Sequence, residues 1–282
     1  MKRKLSKTIA NDFLNSSLWL KKIKEDCLSQ KVFLAIRDNR IDLYYKGGLL
    51  FCYDKNGFKT HVKYASVITL DADGKDYLTE SQLSTYKLAS DFESNYHRIK
   101  ENCSNYSGIE AYGVSDLYHK HSYLFDSNVV VLDIEVSFES LSEKSKHDRI
   151  DIVLLNKATR TLQFIEAKHF SNNEIWSTDK PQVIGQLYRY ESQIQQRKPE
   201  ILLEYVEYVR IINEIFGISL PEPIDFDKKV TLLIFGFDND QKKGRLKRLI
   251  LQNSEYRGSK IYSIGNIKQI VTENLWNAKA LQ

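Results

Sequence analysis

Three charged residues stand in stretches that are otherwise apolar. Residues 164–170 read FIEAKHF, which places Glu166 and Lys168 two apart, and Asp151 lies fifteen residues before Glu166 inside DRIDIVLL. Extended chain sends alternate side chains to one face, so Phe164, Glu166 and Lys168 share a face, as do Asp151, Val153 and Leu155. If a hairpin joins the two runs, two carboxylates and a lysine face one point. That set suits hydrolysis of a phosphodiester. Two carboxylates can hold Mg²⁺, a hard ion that takes oxygen ligands and keeps some of its waters. The ion makes a bound water more acidic and offsets charge on the phosphoryl oxygens. The lysine brings a point charge to the same phosphate or places the attacking water. The backbone carbonyl of Ala167, between the pair, adds a further metal ligand that no side-chain substitution removes.

A Glu-x-Lys triplet alone is also what the wet face of an ordinary strand carries. The flanking runs IVLL and LQFI argue against that origin here, because they are apolar on both faces and call for helical cover on each side. An Asp, a Glu and a Lys inside such strands need partners or an ion.

The elements that must position these residues can be read from periodicity and turn residues. NVVVLDIEVSF (128–138), DRIDIVLLN (148–156) and TLQFIEAKHF form three successive strands, the last two joined by a KATR turn. PQVIGQLYRYESQI predicts a helix over 181–195 with Pro181 in its first turn, and a second helix runs over 199–216 to Gly217. KKVTLLIFGFD (228–238) is a nearly all-apolar strand, KKGRLKRLILQ a basic amphipathic helix and KIYSIGN a last strand. Upstream, short β-branched and aromatic runs punctuated by DN, GG and KNG turns predict an antiparallel meander over about residues 32–70, after a partly helical start. DADG (71–74) is read as a turn, because the twelfth position from Asp71 is Gln82, where a calcium loop needs Glu. SLSEKSKH is read as a polar, flexible connection. The division expected is a β-rich region to residue 75, a helical linker over 76–107 and a site-bearing domain over 108–282.

The run Asp151–(14 residues)–Glu166–Ala167–Lys168, set in that order of elements, resembles the PD-(D/E)XK nuclease superfamily. Its members include restriction endonucleases, Holliday-junction resolvases and defence-associated nucleases. The resemblance covers about 60% of the chain and leaves the N-terminal β region outside. It implies a restriction-endonuclease-like α/β/α core around a mixed sheet, and a Mg²⁺- or Mn²⁺-dependent nuclease acting on nucleic acid, with DNA ahead of RNA. The first acidic residue of the family motif corresponds to Asp151 and the triplet to Glu166, Ala167 and Lys168, while Ile150 replaces the family's proline. An additional upstream carboxylate is expected at Glu135, which shares strand parity with Asp133 and Val131, or at Glu110 if a helix supplies it. The helix after the triplet is expected to turn glutamine and tyrosine toward the site. Gln182, Gln186 and Tyr190 lie four apart, on one helical face, with Gln186 the closest match.

Several residues around this core bear on a nucleic-acid partner. Arg149 has the parity of Asp151 and suits either a phosphate or an ion pair with a carboxylate. Lys242, Lys243, Arg245, Lys247 and Arg248 form a basic patch that can follow a phosphate backbone or simply face solvent. His169 points away from Lys168 and reads as structural, and Tyr44 and Tyr45 suit sheet packing before base stacking. His119 and His121 belong to no zinc pattern, and no GxxxxGK phosphate loop is present. A net charge of +4 permits nucleic acid without demanding it. Three scattered cysteines and the lack of a long apolar window point to the cytoplasm and away from a membrane; a homodimer is compatible with all of this. Two readings of other classes stand beside the nuclease: an inert relative that binds nucleic acid or protein, and a structural protein whose Glu-x-Lys is a wet strand face.

Overall fold

The computed structural model describes residues 2–66, 77–85, 89–137, 149–177 and 179–282, with 83–85 described by backbone alone. The chain is a mixed α+β protein with one antiparallel and one mixed sheet. It divides into two compact units, residues 2–120 with 210–218, and 121–209 with 219–282. The turn expected at DADG and the connection SLSEKSKH fall outside the described residues.

In the N-terminal unit, five strands form an antiparallel meander in sequence order: β1 Phe33–Arg37, β2 Arg40–Tyr45, β3 Gly48–Asp54, β4 Gly57–His61 and β5 Tyr77–Thr79. The β2–β3 turn is Lys46–Gly47, both at positive φ (46° and 84°), the geometry whose twist matches that of a hairpin. A side chain at Gly47 would also place its Cβ 2.5 Å from the Ala111 backbone, so glycine is required there twice over. The unit extends beyond the break expected at 75. Tyr77–Thr79 completes the sheet beside β4, and the helix Tyr96–Asn105 buries Tyr96, Ile99 and Cys103. The strand and the helix within the stretch expected as a linker therefore belong to this unit. Tyr44 is buried, with the Arg37 guanidinium 6.0 Å from its ring centre, which settles it as sheet packing.

In the C-terminal unit, the strands β6 Val129–Ser137, β7 Arg149–Asn156 and β8 Thr161–His169 pair antiparallel, and β10 Thr231–Phe235 and β11 Lys260–Ile264 extend the sheet in parallel. The order is β11-β10-β8-β7-β6, and the two-residue β9 Asp225–Phe226 pairs with β8 at its start. The β7–β8 turn is closed by Asn156, whose Oδ1 accepts from the amides of Ala158 and Thr159. Nearly every position of β6 and β8 is buried, so both faces of the sheet are covered, as the runs IVLL and LQFI require. The helices Gln182–Gln196 and Lys198–Phe216 follow β8, and Gly217, at φ 64°, ends the second. The basic segment Lys242–Leu251 is helical with π-type turns. Among the described residues no helix is long and apolar enough to cross a membrane.

Candidate active site

The site forms where the β7–β8 ladder stops. Paired residues run from Asn156↔Thr161 to Ile152↔Ile165, and the same register carried one step further sets Asp151 opposite Glu166. There the backbone ladder gives way to a side chain: the Asp151 carboxylate accepts the Ala167 amide N–H at 2.8 Å. In extended chain the N–H and C=O of one residue point toward the same neighbouring strand, so the Ala167 carbonyl is directed to the Asp151 side as well. On its other edge β8 stays pinned to β10 through the pairs Glu166↔Leu232 and Lys168↔Ile234. The Glu-x-Lys pair is thus held by one completed strand pairing and one that has been interrupted.

Glu135 arrives from β6. It lies between the pairs Ile134↔Ile152 and Val136↔Ile150, which sets it across from Asp151, and its φ of 52° is left-handed. A non-glycine residue in that region costs about 1–3 kcal/mol and persists only where surrounding structure enforces it. Asp133 shares this face, opposite Val153, with its carboxylate accepting from Tyr205 Oη at 3.2 Å. Val131 does not share it, contrary to expectation, because a bulge between Val131 and Asp133 shifts the alternation by one.

The charges are closely coupled. Asp151 keeps part of its surface open to solvent, yet its carboxyl resists ionisation. Burial raises its pKa well above the ordinary carboxylate value, and the negative charges of Glu166 and then Glu135 raise it further; the Ala167 amide and Lys168 offset only part of this. Glu166 and Lys168 are 2% and 6% exposed, which excludes the wet-face reading of the triplet. Lys168 Nζ lies 3.0 Å from Glu166 Oε1 and 2.6 Å from Glu174 Oε2. Arg149 takes the ion-pair alternative, with Nη1 2.6 Å from Glu135 Oε2.

The helix Gln182–Gln196 reaches the strand of Asp151 through two of the three residues singled out on its face. Tyr190 Oη donates to the Arg149 carbonyl at 2.6 Å, and Gln186 Nε2 donates to Tyr190 Oη at 2.5 Å, so Gln186 reaches the strand of Asp151 through the tyrosine. Gln182 is exposed at the helix start and is not drawn into this chain of bonds. Glu110 sits in the first turn of the helix Ile109–Lys120, within the N-terminal unit, whereas Glu135 is the upstream carboxylate whose charge acts on Asp151.

Lys242, Lys243, Arg245, Lys247 and Arg248 are all exposed, while Leu246 and Ile250 of the same helix are buried. The Arg245 guanidinium lies 4.0 Å from the centre of the Trp176 ring. His169 is structural: its Nδ1 is 2.8 Å from Ser171 Oγ, and a Cβ on Gly236 (φ 83°) would fall 2.1 Å from its Nε2. Sequence reasoning missed Glu174. It lies in the polar loop NNEIWSTDK, where nothing in residue type or spacing separates it from a solvated glutamate. No family model, curated protein or solved structure matches this chain.

Proposed function

We propose that this protein is a metal-dependent nuclease that hydrolyses phosphodiester bonds, with DNA as the preferred substrate and a role of the restriction or defence type. The observation that carries the reading is the meeting of Asp151 and Glu166 at an interrupted strand pairing beside buried Lys168, with Asp151 held reluctant to ionise by burial first and then by its neighbours' charge. Such a set has too much negative charge for its own stability, and a divalent cation is what relieves it. The order β6-β7-β8, helix, β10, β11 supports a restriction-endonuclease-like core, since it follows the plan of the PD-(D/E)XK superfamily.

Mg²⁺ or Mn²⁺ fits the residues present. Among the described residues no group of three His, Cys, Asp or Glu side chains is arranged to hold an ion. The proposed ligands are therefore two carboxylates, Asp151 and Glu166, with the Ala167 carbonyl and water completing the sparse set that Mg²⁺ accepts. When bound, the ion would supply a more acidic water and a counter-charge to the phosphoryl oxygens. Lys168 presents its ammonium to the same phosphate. Glu135 sustains the field that keeps Asp151 ready for a cation, and the Arg149–Glu135 pair fixes the start of β7. Gln186 and Tyr190 brace that strand from the helix side. The exposed cations from Lys242 to Arg248, with Gln182 at the helix start, are the surface proposed to meet the phosphate backbone.

The test is incubation with plasmid, linear and single-stranded DNA and with RNA, in Mg²⁺, Mn²⁺ or EDTA. Cleavage that needs the metal and disappears in Asp151→Asn and Lys168→Ala is expected. Cleavage indifferent to EDTA or to both substitutions would sink the mechanism, and binding without cleavage in any metal would leave an inert nucleic-acid-binding relative.

A further inference from the structure

Two helices of the C-terminal unit carry the same five-residue pattern, Gly-x-Leu-x-Arg: GQLYR at 185–189 and GRLKR at 244–248. In each, the leucine (Leu187, Leu246) is buried and anchors the helix, and the arginine is exposed. Gly185 is exposed and Gly244 half-buried. The arginine one turn on lies back toward its glycine both times. Arg189 Nη1 stands 3.7 Å from where a Gly185 Cβ would be, and Arg248 Nε donates to the Gly244 carbonyl at 3.4 Å. Glycine within a helix is less stable than alanine, so its presence calls for a reason. The chain itself supplies none. Neither residue has a positive φ. Among the described residues, a Cβ on Gly244 would meet nothing within 4 Å outside its own turn of helix, and one on Gly185 only that arginine.

We propose that Gly185 with Arg189, and Gly244 with Arg248, are two points of close approach for the sugar–phosphate backbone of a nucleic acid. A helix bare of its Cβ lets another backbone come nearer by the width of a methyl group. A guanidinium one turn on can then meet the phosphate oxygens with its planar fork. The surroundings suit a polyanion. On the first helix Gln182, Gly185, Arg189, Ser192 and Gln196 are all exposed, and none is acidic. At 3.6 residues per turn they fall within an arc of about 80°. Gln186, at the border of that arc, reaches the strand of Asp151 through Tyr190. The second pattern lies among exposed Lys242, Lys243, Arg245 and Lys247. The inference rests on the nuclease reading and gives its substrate two contacts that a positive surface alone does not define.

The test measures binding of the full chain to a fluorescein-labelled DNA duplex, its single strand and a matching RNA, with Ca²⁺ or EDTA in place of Mg²⁺. Gly185→Ala and Gly244→Ala should each raise the Tm of the C-terminal unit by about 2–4 °C, since alanine is the better helix former. Each should nevertheless raise Kd about tenfold. Gly185→Leu should raise Kd further at a similar Tm. Arg189→Gln and Arg248→Gln should each lower the slope of log Kd against log salt by about one. Stability and affinity moving in opposite directions is a result that a glycine kept for the fold does not give. A Kd equal to the parent's in either alanine variant, or a Tm that falls, overturns the inference. If metal-dependent cleavage persists in that case, the nuclease reading stands without it. If affinity drops as expected but no metal supports cleavage by the parent, the approach points stand and the nuclease reading fails. A parent that binds none of the three nucleic acids ends both.

Discussion

Replacing Lys168 with methionine removes the cation at the centre of the site while keeping an unbranched side chain of similar length. The ammonium touches Glu166 at 3.0 Å and Glu174 at 2.6 Å, and the side chains of Lys168, Glu166 and Glu174 are 8%, 2% and 40% exposed. At 3 Å and an effective dielectric of about 20, one pair attracts by roughly 5 kcal/mol, part of which only repays desolvation of the ammonium. Glu174 can turn to water when its partner is lost. Glu166 cannot, and it faces Asp151 across the interrupted pairing, so the cost concentrates on one buried carboxylate. Truncating one member of a buried pair costs about 3–5 kcal/mol, and that is the loss expected for the C-terminal unit. For a unit of this size it corresponds to a fall in Tm of roughly 6–20 °C. Calorimetry or urea unfolding should be fitted with two transitions, because the chain has two compact units and one overall free energy is not defined. The decisive comparison is the double substitution Glu166→Gln/Lys168→Met, which removes both charges and should recover at least half the loss. A single substitution within about 0.5 kcal/mol of the parent, below the buried-pair cost, refutes the reasoning. So does a double variant no more stable than the single one.

Two further predictions concern protons. Asp151 has a folded-state pKa raised by burial and by Glu166 and Glu135, so the stability it contributes is present below the unfolded carboxylate pKa and is lost as pH rises through the folded value. Asp151→Asn should therefore unfold later than the parent near neutral pH, converge with it in acid, and lose the stabilisation that Mg²⁺ gives the parent; a variant equally stabilised by Mg²⁺ would count against the metal site. In the N-terminal unit, burial lowers the His119 pKa to about 4, so its contribution is intact above the unfolded pKa of about 6.5 and fades as pH falls toward 4. Urea unfolding of the parent and of His119→Asn should diverge by up to about 3 kcal/mol across that window, and parallel curves would show that His119 is not held neutral.

The strand faces of the candidate residues were legible in the chain itself, because the backbone periodicities are local. Alternation fixes which of Phe164, Glu166 and Lys168 share a face, and the spacing to Asp151 fits a hairpin whose turn is signalled by KATR. Helix starts and stops at Pro181 and Gly217 were readable for the same reason, since each residue restricts its own φ. Other features depend on residues far apart in sequence. The bulge that turns Val131 away, the positive φ of Glu135 and the end of the ladder at Ile152 come from how three strands settle against each other. The strand Tyr77–Thr79 and the helix Tyr96–Asn105 join the N-terminal unit because one pairs with β4 and the other buries Tyr96, Ile99 and Cys103, a preference no local pattern encodes. Glu174 shows the limit most sharply. A glutamate in a polar loop carries the same local signal whether it faces water or a buried lysine. Only the packing of Trp176, Tyr256 and Arg245 around its turn puts its carboxylate against Lys168. The sequence by itself determined which charged groups stand in apolar strands and on which faces; tertiary structure decided which of them meet, because burial and charge coupling depend on distance through space and not on separation along the chain.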